Sequence, residues 1–270
     1  LHAGGKFNKT DEDSAYRFSG GLHGVGVSVT NALSHRLEVE VVRDGSRHKL
    51  VFSGGDVIEP LTRIGDAPKK ASGTSVRAWP DAKYFDAPDL PRAELERLLR
   101  SKAVLMPGLE VSLAVEGGET RTWHFEHGMR GYLSEALNDE PLIPLFAGEK
   151  FAPKGDDTFA AGEGAAWAVA WTVEGAPVRE SYVNLIPTPA GGTHEAGLRD
   201  GIFTAIKNFI DHHALLPKGV KLTADDAFGR ASFLLSARVL DPSFQGQTKE
   251  RLNSRDAVQL VSRMVRDPFE

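Results

Sequence analysis

Apolar and polar positions alternate over two short segments in the first part of the chain. The first segment covers residues 37–41 and the second covers residues 47–52. A period of two is typical of a β-strand with one buried face. Asp44 and Gly45 lie between the segments, and an Asp-Gly pair favours the tight turn of a hairpin. The pattern therefore predicts a β-hairpin with its tip at Asp44 and Gly45.

A helical spacing appears further along the chain. Apolar residues three and four positions apart predict a helix over residues 91–103, with Leu98 among its inward side chains. Alternation returns over residues 109–115 and predicts a strand, and a return strand follows around residues 123–125. Helices mixed with largely antiparallel strands define an α+β fold, and we expect this first region to end near residue 135.

The second half of the chain carries its own predicted elements. Strands are predicted over residues 165–173, 181–186 and 233–239. Thr193 is the predicted N-cap of a long amphipathic helix, and apolar positions over residues 257–265 predict a last helix. We therefore expect two domains, residues 1–135 and residues 136–270.

Composition limits the classes of protein that fit this pattern. Hydrophobic residues make up 41% and charged residues 26% of the 270 positions, which is enough apolar material for a core. No apolar run approaches the roughly 20 residues of a membrane span, and no signal pattern opens the chain. Cysteine is absent and the net charge is −5, which excludes disulfides and argues against a domain that coats nucleic acid. A cytoplasmic location without membrane contact is predicted.

Four glycines, followed at once by a helical pattern, form the most informative segment. They are Gly20, Gly21, Gly24 and Gly26. The apolar face predicted for the helix consists of Val25, Val29, Ala32 and Leu33. Backbone N–H groups of such a loop bind anions, most often phosphate. The glycine order matches neither a Walker loop nor a dinucleotide fingerprint, and a glycine turn that only caps a helix is the alternative.

The wider context of these glycines carries a resemblance to a known family. Residues 1–7 and 16–26 resemble the ATP lid and glycine box of GHKL ATPases, and more narrowly those of the B subunits of bacterial type IIA topoisomerases. Further matching segments follow in the same order at residues 73–80, 191–197 and 247–251. Residues 181–188 are more similar to topoisomerase IV B subunits than to gyrase B subunits. The resemblance implies a partial Bergerat-type ATPase sandwich followed by a transducer domain with a ribosomal-protein-S5-like fold.

The same resemblance implies a set of nucleotide-binding residues. They are Gly5, Lys6, Tyr16, Gly21, Leu22, His23, Gly24, Val25, Gly26, Val27, Thr74, Gln247 and Lys249. The glycine box would bind the phosphates through backbone N–H groups, Lys6 would reach a phosphate from the lid, and Tyr16 would lie by the base and ribose. Thr74 would lie beside the adenine. For each side chain a plain core or surface role is the competing interpretation.

Gln247 and Lys249 form the second strong feature. In an extended segment, residues two apart project to the same side, so an amide and an ammonium would reach one phosphate together. A polar surface segment before a helix is the alternative. By resemblance, Lys249 contacts the γ-phosphate and stabilises transition-state charge, from a loop of the transducer.

Other charged residues have simpler interpretations. Asp225 and Asp226 are interpreted as acidic partners of a helix N-terminus. Arg199 matches a family arginine that faces the cavity for DNA, and an exposed helix position is the alternative. The family's general-base glutamate, Mg²⁺-linked asparagine and adenine-reading aspartate are expected upstream of Leu1. The chain alone is therefore expected to be inactive.

The resemblance predicts the ATP-binding region of an ATP-dependent type IIA DNA topoisomerase, topoisomerase IV, with ATP and Mg²⁺ as cofactors. Its predicted partners are the topoisomerase A subunit, a second B subunit and duplex DNA. The alternatives are a gyrase B subunit, a nucleotide- or inhibitor-binding module without turnover, and a mismatch-repair type of GHKL protein.

Overall fold

The computed structural model describes residues 17–21, 24–87 and 90–270, which divide into two compact units. In the described part of the chain, the first unit runs from residue 21 to residue 91. The second unit takes residues 17–20 and 92–270. The four residues before Gly21 therefore belong to the unit that contains the distant C-terminal half. The domain boundary expected near residue 135 lies inside the second unit and stays a prediction.

Over its described residues, the first unit contains one short α-helix, a 3-10 turn at Ala82–Tyr84 and a four-stranded antiparallel sheet. The helix is α1 (Gly26–Ala32). The strands are β1 (Ser34–Arg43), β2 (Ser46–Ser53), β3 (Asp56–Asp66) and β4 (Gly73–Pro80), in the order β3-β2-β1-β4. Arg43 pairs with Ser46, and Asp44 and Gly45 both have positive φ, at 51° and 78°. The hairpin and its tip are confirmed.

Burial in the first unit is one-sided. Leu37, Val51 and Phe52 are buried, whereas β3 and β4 are exposed along almost their whole length. The apolar face predicted for α1 is wrong for this unit, because Val25, Val29 and Ala32 are exposed and Leu33 is only partly buried. The residue of α1 that is buried is Asn31, whose side-chain amide donates to the Gly55 carbonyl at 3.1 Å.

The second unit has a five-stranded sheet with helices on both faces. The sheet strands are β7 (Phe146–Phe151), β8 (Gly164–Trp171), β9 (Arg179–Val183), β10 (Ile186–Pro187) and β11 (Ala231–Arg238). Their order is β10-β9-β11-β8-β7. The β9–β11 pair is parallel, and it needs the long crossover that the intervening helices supply.

Two short ladders and five helices complete the second unit. The ladders are β5 (Val111–Leu113) with β6 (Arg121–Trp123), and β12 (Phe244–Gln245) with β13 (Arg251–Leu252). The helices are α2 (Arg92–Leu105), α3 (Gly128–Ala136), α4 (Thr193–His212), α5 (Ala224–Phe228) and α6 (Asp256–Phe269). Leu98, predicted to face inward on α2, is exposed, and the buried side of α2 is formed by Ser101, Ala103 and Val104.

Alternate residues along the central strands β8 and β11 point to opposite faces of the sheet and into two different cores. Val169 and Leu235 point to the core that α4 and α6 cover, whereas Ala168 and Leu234 point to the core that includes α2 and α3. Gly197 brings α4 close to α6, because a Cβ there would lie 2.6 Å from the Val258 carbonyl oxygen. These layers form a rigid support for the loops at the sheet edge.

The start of α4 differs from the prediction. Thr193 is the first helical residue, and Gly192, with φ of 142°, holds the N-cap position. A Cβ on Gly192 would lie 2.4 Å from the Leu252 carbonyl oxygen. Glycine occupies the cap because β13 approaches too closely for a threonine side chain.

Candidate functional site

The glycine segment enters α1 with a geometry that only glycine adopts easily. Gly24 has φ of 65°, in the left-handed region, and Gly26 is the first residue of α1. A Cβ added to Gly26 would meet nothing within 4 Å, so open space lies beside this backbone. The first turn of any helix leaves its N–H groups without helical partners. Val25 and Val27 are exposed on either side of Gly26.

The stem of the glycine segment packs within the second unit. A Cβ on Gly20 would lie 2.5 Å from Ile186 Cγ1 and 2.9 Å from the Asn184 carbonyl oxygen. Phe18 fits against Gly162, where a Cβ would come within 2.9 Å of its ring. Gly20 is therefore required for close packing of the stem against another backbone, in addition to any role in a turn.

The turn that receives Gly20 was not predicted. β9 ends at Val183, and Asn184 and Leu185 follow with left-handed φ of 49° and 66°. The Asn184 amide donates to the Val239 carbonyl at 2.7 Å, and its oxygen accepts from the Val239 N–H at 3.0 Å. The strand predicted over residues 181–186 extends across this turn, although an asparagine there is a signal for left-handed backbone.

Lys102 supports the same turn from α2. Its ammonium donates to the Leu185 carbonyl, and partial burial lowers the pKa of Lys102. The sequence carries no signal for this role, because a lysine near the end of a helix is normally a solvated partner of the helix dipole.

Lys249 reaches the stem of the glycine segment. Its ammonium donates to the Gly20 carbonyl at 2.9 Å, across 229 positions of sequence. The extended conformation expected for this loop is wrong. Residues 247–248 form a turn, and Gly246 and Lys249 both have positive φ, at 75° and 57°. Gln247 is exposed and Lys249 is half-buried, so the two side chains do not share the side that a strand would give them.

The backbone around Lys249 is tied to the loop before α4. The Ala190 N–H donates to the Glu250 carbonyl at 3.0 Å, and the Leu252 N–H donates to the Gly191 carbonyl at 3.1 Å. The Arg251 guanidinium also donates to the Ala190 carbonyl, at 3.1 Å. Hydrogen bonds therefore join the loop before α4 to the residues that immediately follow Lys249.

A buried histidine, not selected by the sequence analysis, lies behind this loop. His194 is fully buried in the first turn of α4, and burial lowers its pKa to about 3. Its Nε2 is 2.9 Å from Thr188 Oγ1, which is 2.7 Å from Ser181 Oγ. No local sequence signal separates such a histidine from a solvated one, because the start of α4 is covered by segments distant in sequence, such as β13, whose Leu252 lies against Gly192.

The remaining predicted site residues fall into two groups. Thr74 lies at the start of the edge strand β4, pairs with Val41 and is exposed. Gly21 is the first described residue of the first unit. The others lie outside the described residues: Gly5, Lys6, Tyr16, Leu22 and His23.

Acidic and basic residues near α5 have structural partners. Asp226 completes a capping box with Thr223, and hydrogen bonds from Thr223 lower the pKa of Asp226. Arg199 forms a 2.5 Å ion pair with Asp225. Both line a cavity of about 390 Å³ to which Arg179 and Arg251 also contribute. The interpretation of the acidic pair as partners of a helix start is confirmed for Asp226.

Metal-binding clusters and membrane-spanning helices are both absent from the described residues. Over residues 17–21, 24–87 and 90–270, no group of three or more His, Asp or Glu side chains is arranged to hold a metal ion. Within the same ranges, no helix is both long and apolar enough to cross a membrane.

Comparison with known proteins identifies the class. The sequence model of the DNA gyrase B family matches residues 128–270, and the chain belongs to that family. This confirms the resemblance to the B subunits of bacterial type IIA topoisomerases.

The individual relatives with high identity are B subunits of DNA topoisomerase 4. The chain is 46% identical over 273 residues to the B subunit of DNA topoisomerase 4 from Pseudomonas aeruginosa. It is 45% identical over 277 residues to the same subunit from Escherichia coli K12. Both alignments cover 100% of the chain, and the chain spans 42% and 41% of these relatives' own lengths.

Solved structures give the same result for the fold. The topoisomerase IV ATP-binding domain of Francisella tularensis, in complex with a small-molecule inhibitor, superposes with a TM-score of 0.74 at 40% identity. The 43K ATPase domain of Thermus thermophilus gyrase B, with an aminocoumarin, gives 0.76 at 27% identity. Each comparison covers 90% of this chain and 65% of the other. The α+β fold expected of a GHKL ATPase is confirmed.

Proposed function

We propose that this chain is part of the ATP-binding region of a type IIA topoisomerase B subunit, of the topoisomerase IV kind. In this function, ATP binding and hydrolysis drive DNA strand passage. The observation that carries the proposal is the 2.9 Å hydrogen bond from Lys249 to the Gly20 carbonyl. It brings the loop of Gln247 and Lys249 to the stem of a phosphate-type glycine segment. The similarity to topoisomerase 4 B subunits over the whole chain supports it.

The glycine segment fits a polyphosphate ligand. Left-handed Gly24 and the open space beside Gly26 leave backbone N–H groups accessible to phosphate oxygens. Gly21, Leu22, His23, Val25 and Val27 would contribute their backbone to the same loop.

Side chains supply the remaining proposed contacts. Lys6, beside Gly5 in the lid, would add a point charge to a phosphate, and Tyr16 and Thr74 would lie by the base and ribose. Gln247 and Lys249 would contact the terminal phosphate. Mg²⁺ would accompany ATP, but the acidic residues that the structure describes form no site for it. We therefore assign no metal ligand and no general base here.

The proposed partners follow from the same function. ATP binding would join two B subunits, and the A subunit would cleave DNA. Arg179, Arg199 and Arg251 line one cavity together with Glu195 and Asp225, and the three guanidinium groups would favour a DNA phosphate. A proposed transducer role for residues 136–270 would link this surface to Lys249. The protein would act in the cytoplasm.

A gyrase B subunit is the second candidate. It is favoured by the name of the matching family model and by the similarity to a gyrase B ATPase domain. The two activities differ in their product, because gyrase introduces negative supercoils whereas topoisomerase IV relaxes and unlinks DNA. Reconstitution of the full-length protein with its A subunit on relaxed plasmid separates them.

Substitution of Lys249 tests the nucleotide-binding proposal. A hydrogen bond to a charged group contributes about 1.5–3 kcal/mol, so Lys249→Ala in the full-length protein should weaken binding of a non-hydrolysable ATP analogue roughly ten- to over a hundredfold. ADP affinity should change little, because ADP lacks the terminal phosphate. ATP-driven dimerisation should weaken in parallel.

Lys207→Ala is the matched control, since Lys207 is exposed on α4 and has no proposed role. Isothermal titration with both nucleotides measures the effect. Wild-type affinities for both nucleotides in Lys249→Ala would remove Lys249 from the site.

A further inference from the structure

Three buried polar side chains form a hydrogen-bonded row beside the loop over residues 188–192, which is bound to the backbone that follows Lys249. Ser181 comes from β9, Thr188 follows β10, and His194 lies in the first turn of α4. All three are almost completely buried. Thr188 Oγ1 is 2.7 Å from Ser181 Oγ and 2.9 Å from His194 Nε2. The Thr188 N–H also donates to the Ser181 carbonyl at 2.8 Å.

This row holds the beginning of the loop over residues 188–192. The Gly191 N–H donates to the Thr188 carbonyl at 2.8 Å, which closes a turn on the threonine. The far side of the same loop is bound to Glu250 and Leu252 by backbone hydrogen bonds. A shift of Thr188 therefore moves the backbone that immediately follows Lys249.

The imidazole of His194 is buried with one of its two nitrogens hydrogen-bonded, through Nε2 to Thr188. His194 Nδ1 and the neighbouring Thr193 Oγ1 are buried atoms for which the described residues provide no hydrogen-bond partner. An unsatisfied buried polar atom costs about 1–3 kcal/mol. An apolar side chain would fill the same space without that cost. What histidine provides here, and an apolar side chain would not, is the hydrogen bond between Nε2 and Thr188.

We infer that His194 and Thr188 are positioning residues, which set the place of the Lys249 ammonium through the loop over residues 188–192. The inference rests on the proposed contact of Lys249 with the terminal phosphate. Its signature is a loss in binding of ATP-type nucleotides that exceeds any loss in binding of ADP. A role in stability alone would lower both affinities equally or neither.

The test uses Thr188→Val and His194→Leu in the full-length protein. Each substitution keeps the approximate volume and removes the hydrogen bond. Loss of one hydrogen bond should weaken binding of a non-hydrolysable ATP analogue by roughly two- to tenfold, with ADP affinity nearly unchanged. Thr188→Ser keeps the hydroxyl, and His194→Gln keeps a polar group near the position of Nε2. Both should restore analogue binding.

Ser232→Ala is the matched control. Ser232 is fully buried on β11, and its hydroxyl accepts from the N–H of Val178, the residue before β9, at 3.0 Å. It should lower the melting temperature without changing the ratio of analogue to ADP affinity. Should either main variant fail to fold, Ser181→Ala removes the outer member of the row and should change the same ratio in the same direction.

Lys249→Ala, measured in parallel, separates the positioning role from the proposed function. A loss in Lys249→Ala with wild-type ratios in the folded Thr188, His194 and Ser181 variants would overturn the positioning role and leave the proposed function intact. No loss in Lys249→Ala would overturn the proposed function and the inference with it. Equal losses of analogue and ADP binding in the Thr188 and His194 variants would also overturn the positioning role.

Discussion

Gly20 shows how a single residue can serve a site through packing. Its carbonyl accepts the Lys249 ammonium, while its missing side chain lets the stem lie against Ile186 and the Asn184 backbone. A glycine in a glycine-rich motif is normally assigned to a turn. At this position the constraint is the distance to a neighbouring backbone, because the Asn184 oxygen cannot move aside as a flexible side chain can.

Gly20→Ala is expected to destabilise the protein by about 1–3 kcal/mol, since the added methyl group would overlap Ile186 and Asn184. Gly65→Ala is the control, because nothing lies within 4 Å of a Cβ there. Chemical denaturation of the full-length protein measures both. Equal stability of the two variants would show that the stem does not pack as described.

His194 makes a pH-dependent contribution to stability. Burial lowers its pKa from 6.5 to about 3, so the unfolded chain takes up a proton at pH values where the folded protein does not. The resulting loss of folding stability is absent above the pKa of His194 in the unfolded chain, and it grows as the pH falls from 6.5 towards 3. The free energy of unfolding should fall by up to about 1.4 kcal/mol per pH unit in that range.

His194→Gln removes the titrating group, and its unfolding free energy should depend less steeply on pH over the same interval. Comparison of denaturation curves at several pH values measures the difference in slope. Identical slopes for the wild type and His194→Gln would mean that the imidazole becomes protonated in the folded state.

At the scale of the elements, local patterns are good predictors where one face of a helix or strand is buried. The helix predicted over residues 257–265 is α6, and Ala257, Leu260, Val261, Met264 and Val265 are its buried residues. The hairpin of β1 and β2 is equally well predicted. β7 was missed, because its sequence carries charge and lacks a clear alternation, and the parallel β9–β11 pair has no local signal.

Packing of α4 against α6 allows an element-scale prediction. Alanine is a better helix former than glycine by about 1 kcal/mol, so propensity alone favours Gly201→Ala. A Cβ at Gly201 would lie 2.7 Å from the Ser262 carbonyl oxygen, and such overlap costs about 1–3 kcal/mol. We expect net destabilisation.

Lys207→Ala on the exposed side of α4 should change stability by less than about 0.5 kcal/mol. Thermal melts of Gly201→Ala and Lys207→Ala decide whether helix propensity or overlap with α6 has the larger effect at Gly201. A higher melting temperature for Gly201→Ala would show that α6 moves away at little cost.

At the scale of the whole molecule, the two compact units differ in how they bury apolar surface. The second unit covers both faces of its sheet, and β8 and β11 are buried along most of their length. The first unit exposes β3, including Val57, Ile58 and Leu61. Strands with few buried contacts open at low free energy.

Native-state hydrogen exchange of the 270-residue chain should therefore show the slowest amides in β8 and β11 and much faster exchange in β3. Exchange detected by mass spectrometry after peptide digestion resolves the two units. Protection of β3 equal to that of β11 would contradict the described difference in burial.

The sequence by itself determined the β1–β2 hairpin, the helix α6, the glycine segment and the family. Helical and strand periods, the Asp44-Gly45 turn and the order of glycines depend on residues that are neighbours along the chain. Lys249 was also selected from the sequence, through the resemblance of its loop. Such signals need no knowledge of how distant segments meet.

Only the tertiary structure decided which residues support the site. The hydrogen bond from Lys249 to Gly20, the burial of His194 and the exposed apolar residues of α1 each depend on segments that are far apart in sequence. The turn at residues 247–248 likewise replaced the predicted extended loop. Long-range contacts are set by the complete fold, because a side chain's partners and its exposure to water are properties of the packed chain rather than of the local segment.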